Sequence, residues 1–181
     1  MRKLILATAT AGLCVLAPLP ILSQAAHAGP YEDGMAAFEA YDFDKAFPLF
    51  RTAAEQGILA GQNYLAHMYY TGKGVEKSYP DAIKWYKKSA EKGHVPSQKQ
   101  MALMYFTGKN GLEKSHTQAL HWYEKAAEQG DTAAMFTIGV IYKDGKGVPK
   151  SKDTAIAWFR KCAVTTHGNY GTCQQMLAKM N

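Results

Sequence analysis

The sequence predicts an all-α fold built from stacked helix-turn-helix repeats, and three observations support this class. A tryptophan-centred block occurs three times, with spacings of 37 and 36 residues, at Trp85, Trp122 and Trp158. A glycine-containing block precedes each copy, beginning at Met68, Met104 and Ile141. No segment shows sustained alternation of apolar and polar residues, so we expect no sheet. Self-similarity with a period of about 20 to 50 residues is typical of solenoid proteins.

Residues 1–28 have the features of a secretory signal peptide. An apolar run follows a short cationic start, and Pro18 and Pro20 interrupt it. The small-x-small sequence Ala26-His27-Ala28 then provides a cleavage site, which distinguishes this segment from a membrane span. We therefore expect an exported protein, periplasmic or secreted, without integral membrane association after cleavage.

The charge of the mature chain is mildly basic. Removal of the leader takes away Arg2 and Lys3 and leaves 19 basic against 15 acidic residues, a net charge of +4. These charges are spread along the chain, so they favour acidic partners weakly and form no stripe of the kind that binds nucleic acid.

Export leaves two cysteines, Cys162 and Cys173, in an oxidising compartment. An even pair in such a compartment predicts a disulfide. The alternative is a redox-active dithiol, but the spacing is not C-x-x-C. We therefore predict a structural disulfide.

The first helical pair, in residues 29–57, is an atypical repeat because it lacks the glycine loop. A helix is predicted from Tyr31 to Ala40, and a second begins after the cap Asp42 and ends at Gly57. Pro48 lies within the second helix, where we expect a kink or a weak point.

Three full repeats follow at residues 58–93, 94–130 and 131–166. In each repeat a glycine loop ends the first helix, because glycine adopts left-handed backbone angles at little steric cost. A serine then caps the second helix, at Ser78, Ser115 and Ser151. Residues 167–181 are predicted to form a capping helix held by the disulfide, which gives nine helices in all.

Small and large residues alternate along each second helix in a way that predicts close packing. Ala82, Ala119 and Ala155 mark the approach to the first helix, and Trp and Tyr three and four residues later fill the seam with the next repeat. An aromatic ligand box is the alternative, but aromatic residues at helical spacing more often form core.

The repeated order A-x-x-W-Y-x-K-A-A-x-x-G, preceded by Y-x-x-G-x-G-V and a serine-capped helix, resembles the Sel-one-like repeat, a relative of the tetratricopeptide repeat. The chain departs from that pattern at Asn110, which is inserted in the middle loop, and at Ala66 and Ala102, where the family usually has the glycine seen here as Gly139. The cysteine-containing ending resembles the secreted, cysteine-rich branch. The resemblance implies a right-handed α-solenoid with a concave binding face, used by adaptors or inhibitors in bacterial envelopes.

Each candidate motif for catalysis or metal binding is better explained by a structural role or lacks a required residue. Gly72-Lys73-Gly74 lacks the strand and the G-K-[ST] ending of a phosphate-binding loop. His116 and His121 are five residues apart on one helix, and nothing completes a zinc set. No serine lies in G-x-S-x-G. We therefore predict no catalytic residues, no metal, no cofactor and no enzymatic activity.

Three functional hypotheses from different classes remain. The first is a monomeric periplasmic scaffold or adaptor that binds a protein or peptide, with a weak preference for an acidic one. The second is an immunity protein or inhibitor of a secreted effector. The third is a cell-wall or β-lactam binding protein with weak hydrolase activity, which we rank last because it lacks a recognisable nucleophile.

The resemblance to tetratricopeptide-type stacks also implies where a partner binds, because the first helix of each pair lines the concave face there. Four positions in each full repeat are implied, and their side chains form an apolar track with lysines beside it. The alternative is that half of them contact the neighbouring helix and belong to the core. The implied residues are Asn63, His67, Tyr70, Thr71, Lys99, Leu103, Phe106, Thr107, Phe136, Val140, Lys143 and Asp144.

Overall fold

The computed structural model describes residues 29–165 and 168–180, and it folds them into nine α-helices without a strand. The predicted signal peptide lies outside the described residues. The helices are α1 (Pro30–Glu39), α2 (Phe43–Glu55), α3 (Leu59–Thr71), α4 (Tyr79–Glu91), α5 (Val95–Thr107), α6 (His116–Glu128), α7 (Thr132–Asp144), α8 (Lys152–Ala163) and α9 (Tyr170–Met180).

The extensively packed pairs of helices are all consecutive along the chain, from α1 with α2 to α8 with α9. Extensive packing is therefore confined to neighbouring helices in the described part of the chain, as expected for a solenoid. The predicted all-α solenoid is confirmed. None of the described helices combines the length and apolar character needed to cross a lipid bilayer.

The predicted helix ends are confirmed. The hydroxyl of each capping serine accepts a hydrogen bond from the backbone amide three residues later, at Ser78, Ser115 and Ser151. Glycines in the left-handed conformation end the first helices, at Gly72, Gly108 and Gly145. In each of the three full repeats, local sequence signals therefore determine where the first helix ends and where the second begins.

In the first helical pair, α2 begins at its predicted cap and continues past its proline. The carboxylate of Asp42 accepts a hydrogen bond from the amide of Lys45 at 3.2 Å, so it caps α2 as predicted. The helix then continues through Pro48 to Glu55 rather than ending there. Pro48 is exposed, and Phe50 behind it is fully buried. Burial of the apolar side of α2 outweighs the backbone hydrogen bond that proline cannot make.

The alanine positions of the second helices allow the close contacts that the sequence predicts. Ala82, Ala119 and Ala155 are all completely buried. The residues four positions later, Tyr86, Tyr123 and Phe159, are buried as well. The tyrosine and phenylalanine positions of the stripe are therefore core, and they join the three full repeats in one continuous cluster.

In the third repeat, the ring of Phe159 packs directly against the backbone of Gly139. A Cβ atom added at Gly139 would lie 2.6 Å from the Phe159 ring, well inside van der Waals contact. The first two repeats have Ala66 and Ala102 at this position. Gly139 therefore makes room for a ring that approaches the first helix more closely than an alanine would allow.

The disulfide joins the last two helices. Cys162 of α8 and Cys173 of α9 are bonded, with Cα atoms 6.0 Å apart, and both residues are completely buried. Met176, Leu177 and Met180 of α9 pack against the main apolar cluster. The predicted disulfide and terminal helix are present, and α9 covers the end of α8.

Candidate functional site

The first helices of successive repeats, α1, α3, α5 and α7, form a surface that we call the first-helix face. A pocket of about 520 Å³ lies at its C-terminal end, and one of about 230 Å³ lies toward its N-terminal end. The smaller one, here called the groove pocket, is lined by Phe38, Asn63, Tyr64, His67, Tyr86, Pro96 and Gln100. It therefore draws side chains from three successive first helices and one second helix.

Aromatic rings form one wall of the groove pocket. The Phe38 ring lies edge-on to Tyr64, with centroids 5.5 Å apart, and edge-on to His67 at 6.1 Å. Tyr64 in turn stacks on the fully buried ring of Phe50, at 4.8 Å. This wall is anchored in the core of the first helical pair, so it presents a rigid apolar surface.

Polar groups face that wall. Burial raises the pKa of Tyr86 to about 12, although a side-chain hydrogen bond with Gln100 acts in the opposite direction. Burial and the charge of Lys73 lower the pKa of His67. Both Tyr86 and His67 are therefore uncharged near neutral pH. The pocket combines apolar walls with neutral hydrogen-bonding groups, as sites for apolar side chains commonly do.

A serine and a histidine come together beside the pocket, but in a structural arrangement. Nδ1 of His94 lies 2.9 Å from the hydroxyl of Ser97, and this hydroxyl accepts a hydrogen bond from the amide of Asn63 at 3.0 Å. Ser97 is completely buried, so no substrate carbonyl can reach its oxygen. The three side chains fasten α3 to the start of α5.

The structure brings only some of the twelve implied partner-binding residues into a pocket. Asn63 and His67 line the groove pocket. Lys143 and Asp144 line the larger pocket at the other end of the face. Leu103 is 47% exposed and lies one helical turn after Gln100 on α5. None of the twelve is fully buried.

The other implied residues make contacts within the protein. The hydroxyls of Thr71 and Thr107 donate to backbone carbonyls of their own helices. The remaining five engage neighbouring elements: Lys99 pairs with Asp131 at 2.8 Å, Tyr70 accepts from Asn110 at 2.6 Å, Phe106 lies edge-on to His116, Phe136 lies beside Phe159, and Val140 packs against the core.

Sequence reasoning missed most of the groove pocket. Tyr64 and Gln100 occupy equivalent positions, one residue after Asn63 and Lys99, so an offset of one residue would have found both. Phe38 belongs to the atypical repeat and has no counterpart in the glycine-loop pattern. Tyr86 was correctly placed in the core, and it also lines the pocket.

Within residues 29–165 and 168–180, no three His, Cys, Asp or Glu side chains are close enough together to hold a metal ion. The helix order and the pocketed first-helix face define a helical-repeat protein of the solenoid class.

Comparison with known families makes this assignment specific. A model of the Sel1 repeat matches residues 22–58, 59–94, 95–131 and 132–163, so the chain belongs to the Sel1 repeat family, as the resemblance implied. Proteins of this family generally mediate protein–protein interaction. No curated protein matches the chain with statistical significance.

Several solved structures are similar to the chain, including two crystal structures. A Sel1 repeat protein from Oxalobacter formigenes shares 31% identity with a TM-score of 0.74, over 82% of this chain and 60% of that one. The protein c5321, a protective antigen of uropathogenic Escherichia coli strains with an SLR fold, shares 29% identity with a TM-score of 0.75, over 83% of this chain and 32% of that one. The chain therefore spans less than two thirds of the length of either relative.

Proposed function

We propose that the protein is an exported, non-catalytic binding scaffold that holds a partner protein on its first-helix face. The groove pocket is the observation that carries this proposal. It lies across α1, α3 and α5, so a segment crossing successive repeats would pass over it. Its size of about 230 Å³ and its aromatic wall suit one large apolar side chain of the partner.

Export is supported by the disulfide. Cys162 and Cys173 are bonded and buried at the end of the stack. Bonds of this kind persist in the periplasm and outside the cell, whereas the cytosol keeps thiols reduced. The leader-like composition of residues 1–28 agrees with the same compartment.

Absence of catalysis is part of the proposal and is supported by the burial of Ser97. The pair that Ser97 forms with His94 is the arrangement nearest to a nucleophile and base in the described part of the chain, and its hydroxyl is inaccessible. A hydrolase would need that oxygen exposed at a pocket.

The test is capture of a partner from a periplasmic extract, followed by mass spectrometry. We expect Leu103→Asp to weaken capture, because Leu103 is 47% exposed beside the groove pocket and a carboxylate there would have to be desolvated on binding. Val164→Asp is the matched control, since Val164 is 80% exposed and lies at the end of α8. Both variants should melt close to the wild-type temperature. Equal capture by the two variants would contradict the proposed face.

A further inference from the structure

We propose that the third repeat carries a lysine pocket that binds the carboxylates of an acidic segment of the partner. This inference deepens the proposed function and rests on it for the existence of a partner. The pocket has a volume of about 520 Å³. It is lined by Lys143, Asp144, Lys150, Lys152, Lys179 and Met180.

The lysine pocket lies at a position where the first two full repeats have an aromatic pair. The penultimate residue of the first helix meets the first residue of the second helix in each of the earlier repeats. In the first repeat these are Tyr70 and Tyr79, edge-on with centroids 5.5 Å apart. In the second they are Phe106 and His116, edge-on at 5.1 Å.

The third repeat replaces this aromatic pair with two lysines. Lys143 is the penultimate residue of α7 and Lys152 is the first residue of α8. An edge-on aromatic pair is attractive, whereas two ammonium groups facing one pocket repel each other. The substitution therefore removes a favourable contact and concentrates positive charge in its place.

The lysine pocket has more positive charge than its own carboxylate balances. Asp144 accepts from Lys143 at 3.3 Å and from Lys146 at 3.2 Å, so its two oxygens are already engaged. Lys150, Lys152 and Lys179 form no ion pair within the described residues. Lys152 also lies at the N-terminal end of α8, where the helix dipole disfavours a cation. An external anion would balance the unpaired lysines and offset the unfavourable dipole at the start of α8.

The position of the pocket favours an acidic peptide segment as that anion. Lys143 continues the row formed by Tyr70 and Phe106 in the preceding repeats. A partner segment that runs along this row would contact aromatic rings first and the lysines at its end. Three unpaired ammonium groups in one open pocket match a segment with two or more carboxylates.

Binding of a capped hexaglutamate peptide to the full protein, followed by fluorescence anisotropy at low ionic strength, tests the site. The double variant Lys150→Gln/Lys152→Gln should bind roughly tenfold more weakly, because two exposed ammonium groups that have no internal ion pair are lost. The double variant Lys84→Gln/Lys109→Gln carries the same change in net charge at exposed positions outside the pocket, and it should bind as the wild type does.

A third variant tests whether weaker binding could come from a loss of structure. Lys143→Phe/Lys152→His installs the aromatic pair of the second repeat, which this fold already accommodates. It should bind hexaglutamate about as weakly as the glutamine double variant of the lysine pocket does, and it should melt no lower than the wild type. Equal weakening by the lysine-pocket and control double variants would show that net charge alone attracts the peptide, and the proposal would be wrong. The proposal would also be wrong if the protein bound inorganic phosphate but did not bind hexaglutamate.

The probe separates this proposal from the proposed function. Hexaglutamate has no apolar side chain, so its binding does not depend on the groove pocket. If Leu103→Asp leaves capture unchanged while the lysine variants lose hexaglutamate, the proposed groove fails and the lysine pocket stands. If Leu103→Asp lowers capture while the lysine variants bind hexaglutamate as the wild type does, the groove pocket stands and the lysine pocket fails.

Discussion

The amide of Gln129 donates a hydrogen bond to the side-chain oxygen of Gln98 at 2.9 Å. Gln98 is 3% exposed, and its own amide donates to the carbonyl of Ala90 at 3.1 Å. Gln62 repeats the second bond, to Ala54 at 3.1 Å, but its buried side-chain oxygen has no hydrogen-bond partner. The residue equivalent to Gln129 in that repeat is Lys92, and both are the C-cap residues that follow their helices.

Lys92→Gln should therefore stabilise the protein. It places an amide where the second repeat has one, and satisfying a buried oxygen contributes about 1 kcal/mol. In a domain of this size we expect a melting temperature higher by roughly 2–4 °C. The measurement is thermal unfolding followed by circular dichroism. Lys92→Ala is the control, because it removes the lysine without adding a donor, and an equal effect of both changes would contradict the explanation.

The two glycine-to-alanine changes at Gly139 and Gly171 should have opposite effects. A Cβ at Gly139 would collide with the completely buried ring of Phe159, so Gly139→Ala should destabilise the fold by about 1–3 kcal/mol. Gly171 lies in α9 with no atom within 4 Å of the added carbon. Gly171→Ala should raise stability slightly through helix propensity. Urea unfolding of both variants checks the pair, and a neutral Gly139→Ala would show that the ring can move.

Periodicity and helix caps were enough to predict the fold. The serine caps and the glycine loops act within a few residues, so their effect can be read from adjacent sequence. The groove pocket could not be predicted in the same way, because Phe38, Tyr64 and Gln100 meet across three repeats. Their contacts depend on the rotation of each helix, and an offset of one residue rotates a side chain by about 100°.

The inserted residue Asn110 is a second feature whose contacts could not be predicted from the sequence. Its position was evident from the loop spacing, but its function was not. In the structure it adopts a left-handed conformation, with φ of 61°, and its amide donates to the hydroxyl of Tyr70 at 2.6 Å. The insertion thus connects the middle loop to the preceding repeat. Alignment of repeats cannot predict this contact, because the other two loops have no residue to compare.

Loss of the disulfide should loosen the C-terminal end. Cys162 and Cys173 are separated by 11 positions, and closing a loop of this length contributes roughly 3 kcal/mol in the chain-entropy model. We expect Cys162→Ala/Cys173→Ala to melt several degrees lower than the wild type. Differential scanning fluorimetry with and without reductant gives the comparison. The reductant should not affect the double variant; if it lowers both melting temperatures equally, the effect does not arise from this bond.

Two half-buried histidines should make the protein less stable in mild acid. Burial lowers the pKa of His67 and of His94 below the ordinary value of 6.5, and the charge of Lys73 adds to the effect at His67. The unfolded chain therefore takes up protons at these positions at a higher pH than the folded protein does. Their contribution to stability is fully present above about pH 6.5 and is lost as the pH falls below that value.

His67→Gln should flatten the dependence of stability on pH between about pH 7.5 and 5, because glutamine cannot take up that proton. Lys73→Gln should flatten it in part, since it removes the second cause of the lowered pKa and leaves burial in place. His67→Gln/His94→Gln should be flatter than either single variant. Urea unfolding at several pH values measures the slopes. If the slope in His67→Gln equals that of the wild type, His67 is protonated as readily in the folded protein as in the unfolded chain, and the groove pocket does not desolvate it.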